Sequence, residues 1–149
     1  MSYALGRLQG LLPHRGSALI LNHPLKTPPM TSDYDAISTT IFNYFEGFKT
    51  ADRTRLEAAF AVDVCHMKGY VRDKEGKLQL TARPMNEVID GWAKRAPAPE
   101  MQGKITAIHI TNPCAAVAVF DFNGVFTDTL QLAKVDSQWR IVNKFYVDQ

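Results

Sequence analysis

The chain is poor in cysteine: Cys65 and Cys114 are its two thiols in 149 residues, and they do not stand as C-x-x-C. That excludes a framework of several disulfides and a thiolate metal cage; both are read as reduced, partly buried thiols, with a single disulfide between them not indicated but left open. No run of 18 or more apolar residues is present, so no membrane-spanning helix is expected. An excess of one charge is missing as well. Seventeen Lys and Arg against 15 Asp and Glu leave a net charge of +2, with no basic run interleaved with aromatics. That balance argues against nucleic acid or a membrane surface as a partner. There is no glycine-rich phosphate loop, no H-E-x-x-H and no nucleophile elbow. The four histidines, His14, His23, His66 and His109, show no ligand spacing, so no metal and no cofactor are expected. With no leader of recognisable form, a cytoplasmic protein is the default expectation.

What is present is ordinary for a globular protein: 46% hydrophobic and 21% charged residues, in a length that buries a sizeable core as one domain. Residues 1–32 differ from the rest. Gly6, Gly10, Pro13, Gly16, Pro24, Pro28 and Pro29 interrupt them, and their apolar residues keep no period. They read as a poorly ordered arm, or as an extension upstream of a start at Met30, with His14 and His23 solvated. The folded domain is expected over 33–149.

Ser32 and Asp33 can cap a helix in which Ile37, Ile41, Tyr44, Phe45 and Phe48 form one apolar stripe. Tyr44 stands out there, because a buried hydroxyl needs a partner. A short helix from Asp52 comes next, through Leu56, Ala59 and Phe60. A strand pair, Val62–Val71 and Lys77–Thr81, flanks the turn Asp73-Lys74-Glu75-Gly76. A third helix carries Met85, Val88, Ile89 and Trp92. Trp92 is either core or pocket wall. His66 is expected mid-strand beside Cys65, and neighbours on a strand point to opposite faces, which rules out a Cys-His nucleophile pair.

The remaining sequence is strand-like: Lys104–Thr111, then Cys114–Phe122, then Val125–Val135 and Gln138–Val147. Asn123-Gly124 and Asp136-Ser137 are two-residue hairpin loops. Tight loops would pair Asp121 with Phe126, Val119 with Asp128, Leu130 with Asn143 and Asp128 with Phe145. One face would then hold Val117, Val119, Asp121, Asp128, Leu130 and Asn143, mostly apolar but with charge in it. A carboxylate on a core-facing strand side costs several kcal/mol unless paired or wet. Asp121 and Asp128 would be diagonal neighbours, Cα atoms about 7–8 Å apart, a range at which two carboxylates split their pKa values. The alternative is that Asp121 is solvated and Asp128 is held by backbone or tyrosine hydroxyls. The opposite face, with Ala116, Ala118, Phe120, Phe122, Thr127, Thr129 and Tyr146, would be an unusual apolar patch if left in solvent.

The stretch F-T-D-x-L-x-L-x-K-x-D-x-x-W-x-I-x-N-K, Phe126 to Lys144, resembles the C-terminal hairpin of the lumazine-binding branch of the NTF2-like (SnoaL-like) superfamily. The resemblance runs back to about Asp33. It implies an α+β cone, three N-terminal helices packed on a curved, mostly antiparallel sheet. It also implies a homodimer through the outer sheet face, and a cone mouth near His66. Three functions are compatible with it, because the fold hosts enzymes and binding modules alike. The first is a small-molecule-binding protein whose apolar cavity is lined by Tyr44, Phe48, Phe60, Trp92, Phe126 and Leu130, with Asp121, Asp128, Asn143 and His66 as polar anchors. The second is an isomerase, cyclase or dehydratase acting on a carbonyl compound. Asp128 would be its base and Tyr44 or His66 would stabilise the oxyanion. The third is a homodimeric assembly module without catalysis. The family label does not select a lumazine over other flat heterocycles, so the ligand's identity is open.

Overall fold

The computed structural model describes residues 31–149. The expectations for the arm, and for His14 and His23, lie outside the described residues.

Helix α1 (Asp33–Thr50) begins where its capping residue is: the Ser32 hydroxyl accepts from the Asp35 backbone N–H at 3.2 Å, and Asp33 and Asp35 sit in the positive first turn. It ends on Ala51, which takes a left-handed conformation. Asp52 caps α2 (Arg53–Ala59) in the same way, through Arg55 N–H at 3.2 Å. Helix α3 (Met85–Trp92) is inserted after the first strand pair, so the helices are not all N-terminal to the sheet. The stripe read from the sequence is the packed one. Ile37, Ile41, Tyr44 and Phe45 are buried, and Phe48 is partly so at the end of the row.

The six strands are β1 (His66–Arg72), β2 (Leu78–Pro84), β3 (Gly103–Asn112), β4 (Ala115–Phe122), β5 (Phe126–Val135) and β6 (Gln138–Asp148). They lie in the order β2-β1-β6-β5-β4-β3, antiparallel throughout except where β1 runs parallel to β6. The helices cover one face. The first strand starts later than its apolar run suggests, since residues 62–64 turn under α2 and His66 opens the strand instead of sitting in its middle. At the Asp136-Ser137 end of the sheet Asp33 Oδ1 accepts from Trp139 Nε1 at 2.9 Å and meets Lys134 Nζ at 3.0 Å, tying the start of α1 to the β5–β6 hairpin.

Both hairpin loops form where expected, with a difference that matters. Asp136 and Ser137 adopt positive φ and close β5–β6 as a two-residue loop, Val135 opposite Gln138. Asn123 and Gly124 (φ +60° and +64°) also make a tight turn, with Val125 N–H on the Phe122 carbonyl at 3.1 Å. Yet Phe122 pairs with Phe126, so Val125 is an extra residue bulged into solvent. The register moves by one: Asp121 faces Thr127, Phe120 faces Asp128 and Ala118 faces Leu130. A one-residue shift exchanges the faces of a strand. Ala116, Ala118, Phe120 and Phe122, expected outside, are therefore the buried inner face of β4, and Val117, Val119 and Asp121 point outward with Thr127 and Thr129.

Three more irregularities follow, one of them a skip at Thr111 near the end of β3. In β3 the register skips at Thr106, which brings Ile105, Ile108 and Ile110 onto the core together. In β6 Ile141 faces Leu132 and Asn143 faces Gln131, so Val142 is the inserted residue. Beyond it the inward positions are Lys144 and Tyr146, not Asn143 and Phe145.

Candidate functional site

Tyr44 is the centre of the inner aromatic cluster. Its ring lies 5.2 Å from Phe60 in an edge contact and stacks at 5.8 Å on both Trp92 and Phe122. Phe48 meets Trp92 at 5.1 Å and Phe122 at 5.0 Å, both edge-on. Such pairs add about 0.5–1.5 kcal/mol each beyond the area they bury, so they fix the wall as well as cover it.

Against this wall lies a hollow of about 230 Å³. Helices α1 and α3 supply Tyr44, Phe48 and Trp92 on one side. The sheet supplies Met67 from β1, Phe122 from β4, Phe126 and Asp128 from β5, and Lys144 and Tyr146 from β6. Asp128 and Lys144 stand diagonally across the β5–β6 pairing, since Asp128 is opposite Tyr146 and Leu130 opposite Lys144. The long lysine stem covers that offset.

Asp128 is fully buried, and both of its oxygens are used. The Tyr44 hydroxyl donates to Oδ2 at 2.7 Å, and Lys144 Nζ donates to Oδ1. Lys144 is 3% exposed, with its ammonium 5.5 Å from the Tyr44 ring centroid and 5.2 Å from that of Tyr146. Burial pulls the Lys144 ammonium below its ordinary pKa, and Asp128 opposes that pull. The Tyr44 hydroxyl is pushed well above its ordinary value, first by burial and then by the neighbouring Asp128 charge. Cys65, buried near the lysine, is pushed up to about 12 by desolvation, which disfavours its thiolate form.

The arrangement has one net-neutral polar group in an apolar wall. An ammonium has three N–H donors, and one of those of Lys144 is committed to Asp128.

Of the residues singled out by sequence, Tyr44, Phe48, Trp92, Phe126 and Asp128 come together in the hollow. Phe60 and Leu130 are buried core residues and do not line it. His66 lies on the opposite face of β1 from Met67, exposed, its Nδ1 3.3 Å from the Val64 carbonyl. The β6 bulge turns Asn143 away from the hollow to pair with Gln131. Asp121 belongs to the β4–β5 turn, where Oδ1 accepts from Gly124 N–H at 2.8 Å. No Asp121–Asp128 pair exists, because the shifted register puts the two on different faces. Lys144, Met67, Phe122 and Tyr146 were not read as wall residues. The alternation of β6 pointed Lys144 outward, and the signal against that was already present: Asp128 needs a cation if it is buried.

No helix among the described residues is long and apolar enough to cross a membrane. Residues 32–147 match the model of the family described as "Putative lumazine-binding". A search of curated proteins finds no match. Among solved structures, an NTF2-like protein of unknown function from Shewanella baltica OS155 is 32% identical, with a TM-score of 0.65, covering 80% of this chain and 98% of its own. One from Methylobacillus flagellatus KT is 29% identical, TM-score 0.66, covering 80% and 96%. A ketosteroid isomerase-like protein from Erwinia carotovora atroseptica SCRI1043, at 12% identity and TM-score 0.54 over 76% and 93%, shares the fold alone.

Proposed function

The chain belongs to the NTF2-like family whose model is described as lumazine-binding, and from that premise we propose that it is a small-molecule-binding protein whose guest is a small, flat, neutral ring carrying a carbonyl acceptor. The observation that carries this reading is the buried Asp128–Lys144–Tyr44 group set into an aromatic wall beside an open hollow. The volume lies below the roughly 300–1,000 Å³ of sites for drug-sized ligands, so the guest is small. The walls favour a flat apolar body. The Lys144–Asp128 pair is already balanced in charge and buried, so an anionic guest would set an uncompensated charge against it, whereas a carbonyl oxygen can accept from the remaining lysine N–H donors.

The reading of Asp128 as a general base has less support. A base needs an oxygen free to take a substrate proton, and both oxygens here are engaged. His66, the other proposed catalytic group, is on the far face of the sheet.

A homodimer through the outer sheet face forms part of the proposal, with a different set of residues from the one the sequence suggested. Val117, Val119, Thr127, Thr129, Phe145 and Val147 occupy that face, with Tyr70 and Leu80 at its β1–β2 end.

The test is a thermal-shift screen of small aromatic carbonyl compounds on the wild type and on Met67→Trp, which fills the hollow and keeps the ion pair. A guest at 100 times its Kd adds about 2.7 kcal/mol of stability, a clear rise in melting temperature. The expected result is a rise in the wild type that is lost in the variant. If no compound raises the wild-type melting temperature, the binding reading is abandoned.

A further inference from the structure

We propose that Lys144 captures its guest covalently: a small aldehyde seated in the hollow forms an imine with Nζ. This rests on the small-molecule reading above and names the chemistry of the same site.

Lys144 is the one cation among the described residues that line the hollow, and Asp128 is the one anion. Apolar residues of similar volume commonly replace a buried ion pair without loss of stability, so the pair is weak evidence for a purely structural role. What the pair does provide is an amine beside a proton acceptor. Asp128 Oδ1 faces Nζ, and the Tyr44 hydroxyl on Oδ2 at 2.7 Å fixes the carboxylate's orientation. The aromatic rings of Tyr44 and Tyr146 flank Nζ, and the space next to it is the hollow itself. Burial lowers the cost of the neutral amine.

The step balances without any further reactant. The Lys144 ammonium passes a proton to Asp128 Oδ1, and the freed lone pair forms the C–N bond at the carbonyl carbon. A second N–H proton moves to the carbonyl oxygen, giving a neutral carbinolamine. Asp128 then returns its proton to that hydroxyl, the C–O bond breaks and water leaves. Ammonium plus carbonyl becomes iminium plus water. The product is still a cation facing the Asp128 carboxylate, so the buried charge balance is the same before and after. Asp128 is a proton carrier throughout, and this role needs no oxygen free of Lys144.

The experiment uses the full chain, benzaldehyde as the probe and sodium cyanoborohydride to reduce iminium to a stable secondary amine, with peptide mass spectrometry to locate the adduct. The expected result is a benzyl adduct at Lys144 in advance of the exposed Lys74, Lys77 and Lys94, lost in Met67→Trp and in Lys144→Arg. Arginine keeps a cation for Asp128 and cannot form the imine. Met67→Trp leaves Lys144 in place, so it decides the matter even if the arginine variant does not fold. Labelling confined to exposed lysines, or labelling of Lys144 unchanged in Met67→Trp, overturns the proposal. Benzamide, a flat neutral ring that keeps the carbonyl acceptor and cannot form an imine, is measured in parallel by thermal shift. If it stabilises the wild type and Lys144 stays unlabelled, imine formation is wrong and binding stands. If it gives no shift and Lys144 stays unlabelled, both readings fail together.

Discussion

Gly69 and Tyr146 stand opposite each other where β1 runs parallel to β6, and the tyrosine ring fills the space that a side chain on Gly69 would need. A Cβ on Gly69 would overlap the Tyr146 ring. Tyr146 is thereby laid flat at the edge of the hollow. Gly69→Ala is expected to push the ring aside and to destabilise the fold by about 1–3 kcal/mol, the usual effect of overpacking. Urea denaturation measures the loss. An unchanged midpoint would mean that the ring moves freely and does not shape the wall.

The Asp128–Lys144 pair makes a second prediction, since breaking a buried pair is far worse than replacing it. Asp128→Asn leaves an ammonium buried beside an amide and is expected to cost about 3–5 kcal/mol. The double variant Asp128→Asn/Lys144→Met removes the stranded charge and should be more stable than Asp128→Asn alone. A double-mutant cycle in urea checks this. Strictly additive losses would show that the two groups do not interact energetically.

Alkaline stability is set in part by Cys65. Its thiol is held neutral by burial, up to a pKa of about 12 against an ordinary 9.0. Between those values the folded state keeps a proton that the unfolded state has lost, so this contribution to stability is whole below about pH 9 and is lost as pH rises toward 12. Tyr44, raised by burial, acts with the same sign from about pH 10 upward. Cys65→Ala should therefore flatten the decline that starts near pH 9. Lys144, pulled the other way, is common to both proteins, and the difference between their melting curves isolates the thiol. Parallel curves from pH 8 to 11 would contradict the assignment.

The outer face of the sheet is the expected homodimer surface. Tyr70 and Leu80 are 46% and 63% exposed at one end, and Val117 and Val119 lie half-covered nearer the centre. A stable interface of standard size takes about 800 Å² from each partner, and a six-stranded face can supply it. Light scattering at micromolar concentration should give twice the monomer mass, and Val119→Arg should give the monomer, its charge facing outward and leaving the core intact. A monomeric wild type would remove the assembly reading.

The helices and the hollow's aromatic side were legible because their signals are local. Ser32 and Asp52 are capping residues beside apolar stripes, and Tyr44 announced its need for a partner by being a hydroxyl in such a stripe. The family resemblance carried by Phe126 to Lys144 located the curved sheet. The faces of β5 were legible throughout, those of β6 only as far as Ile141, and those of β4 not at all. A period of two has no means of registering an inserted residue, and Val125, Thr106 and Val142 are each inserted where nothing in the local composition differs from ordinary strand. The errors over Phe120, Phe122, Asp121 and Asn143 all descend from that one cause. Asp128 falls on the expected inner face because its strand was counted from the far hairpin, Asp136-Ser137, with no insertion in between.

The Val142 bulge gives β6 two phases, and this makes the strand's tolerance of length change uneven. Up to Ile141 the inward side chains seat the helices; from Lys144 onward they furnish the hollow. A chain lacking Val142 would keep Ile141 opposite Leu132, Asn143 opposite Gln131 and Lys144 opposite Leu130, merely straightening the ladder. A residue lost between Lys144 and Tyr146 would instead rotate the C-terminal end of the strand and send the second tyrosine out of the wall. Related chains can therefore differ by one residue at the bulge and still present the same cation and ring, whereas a one-residue difference a few positions later makes a different guest chamber from nearly the same letters.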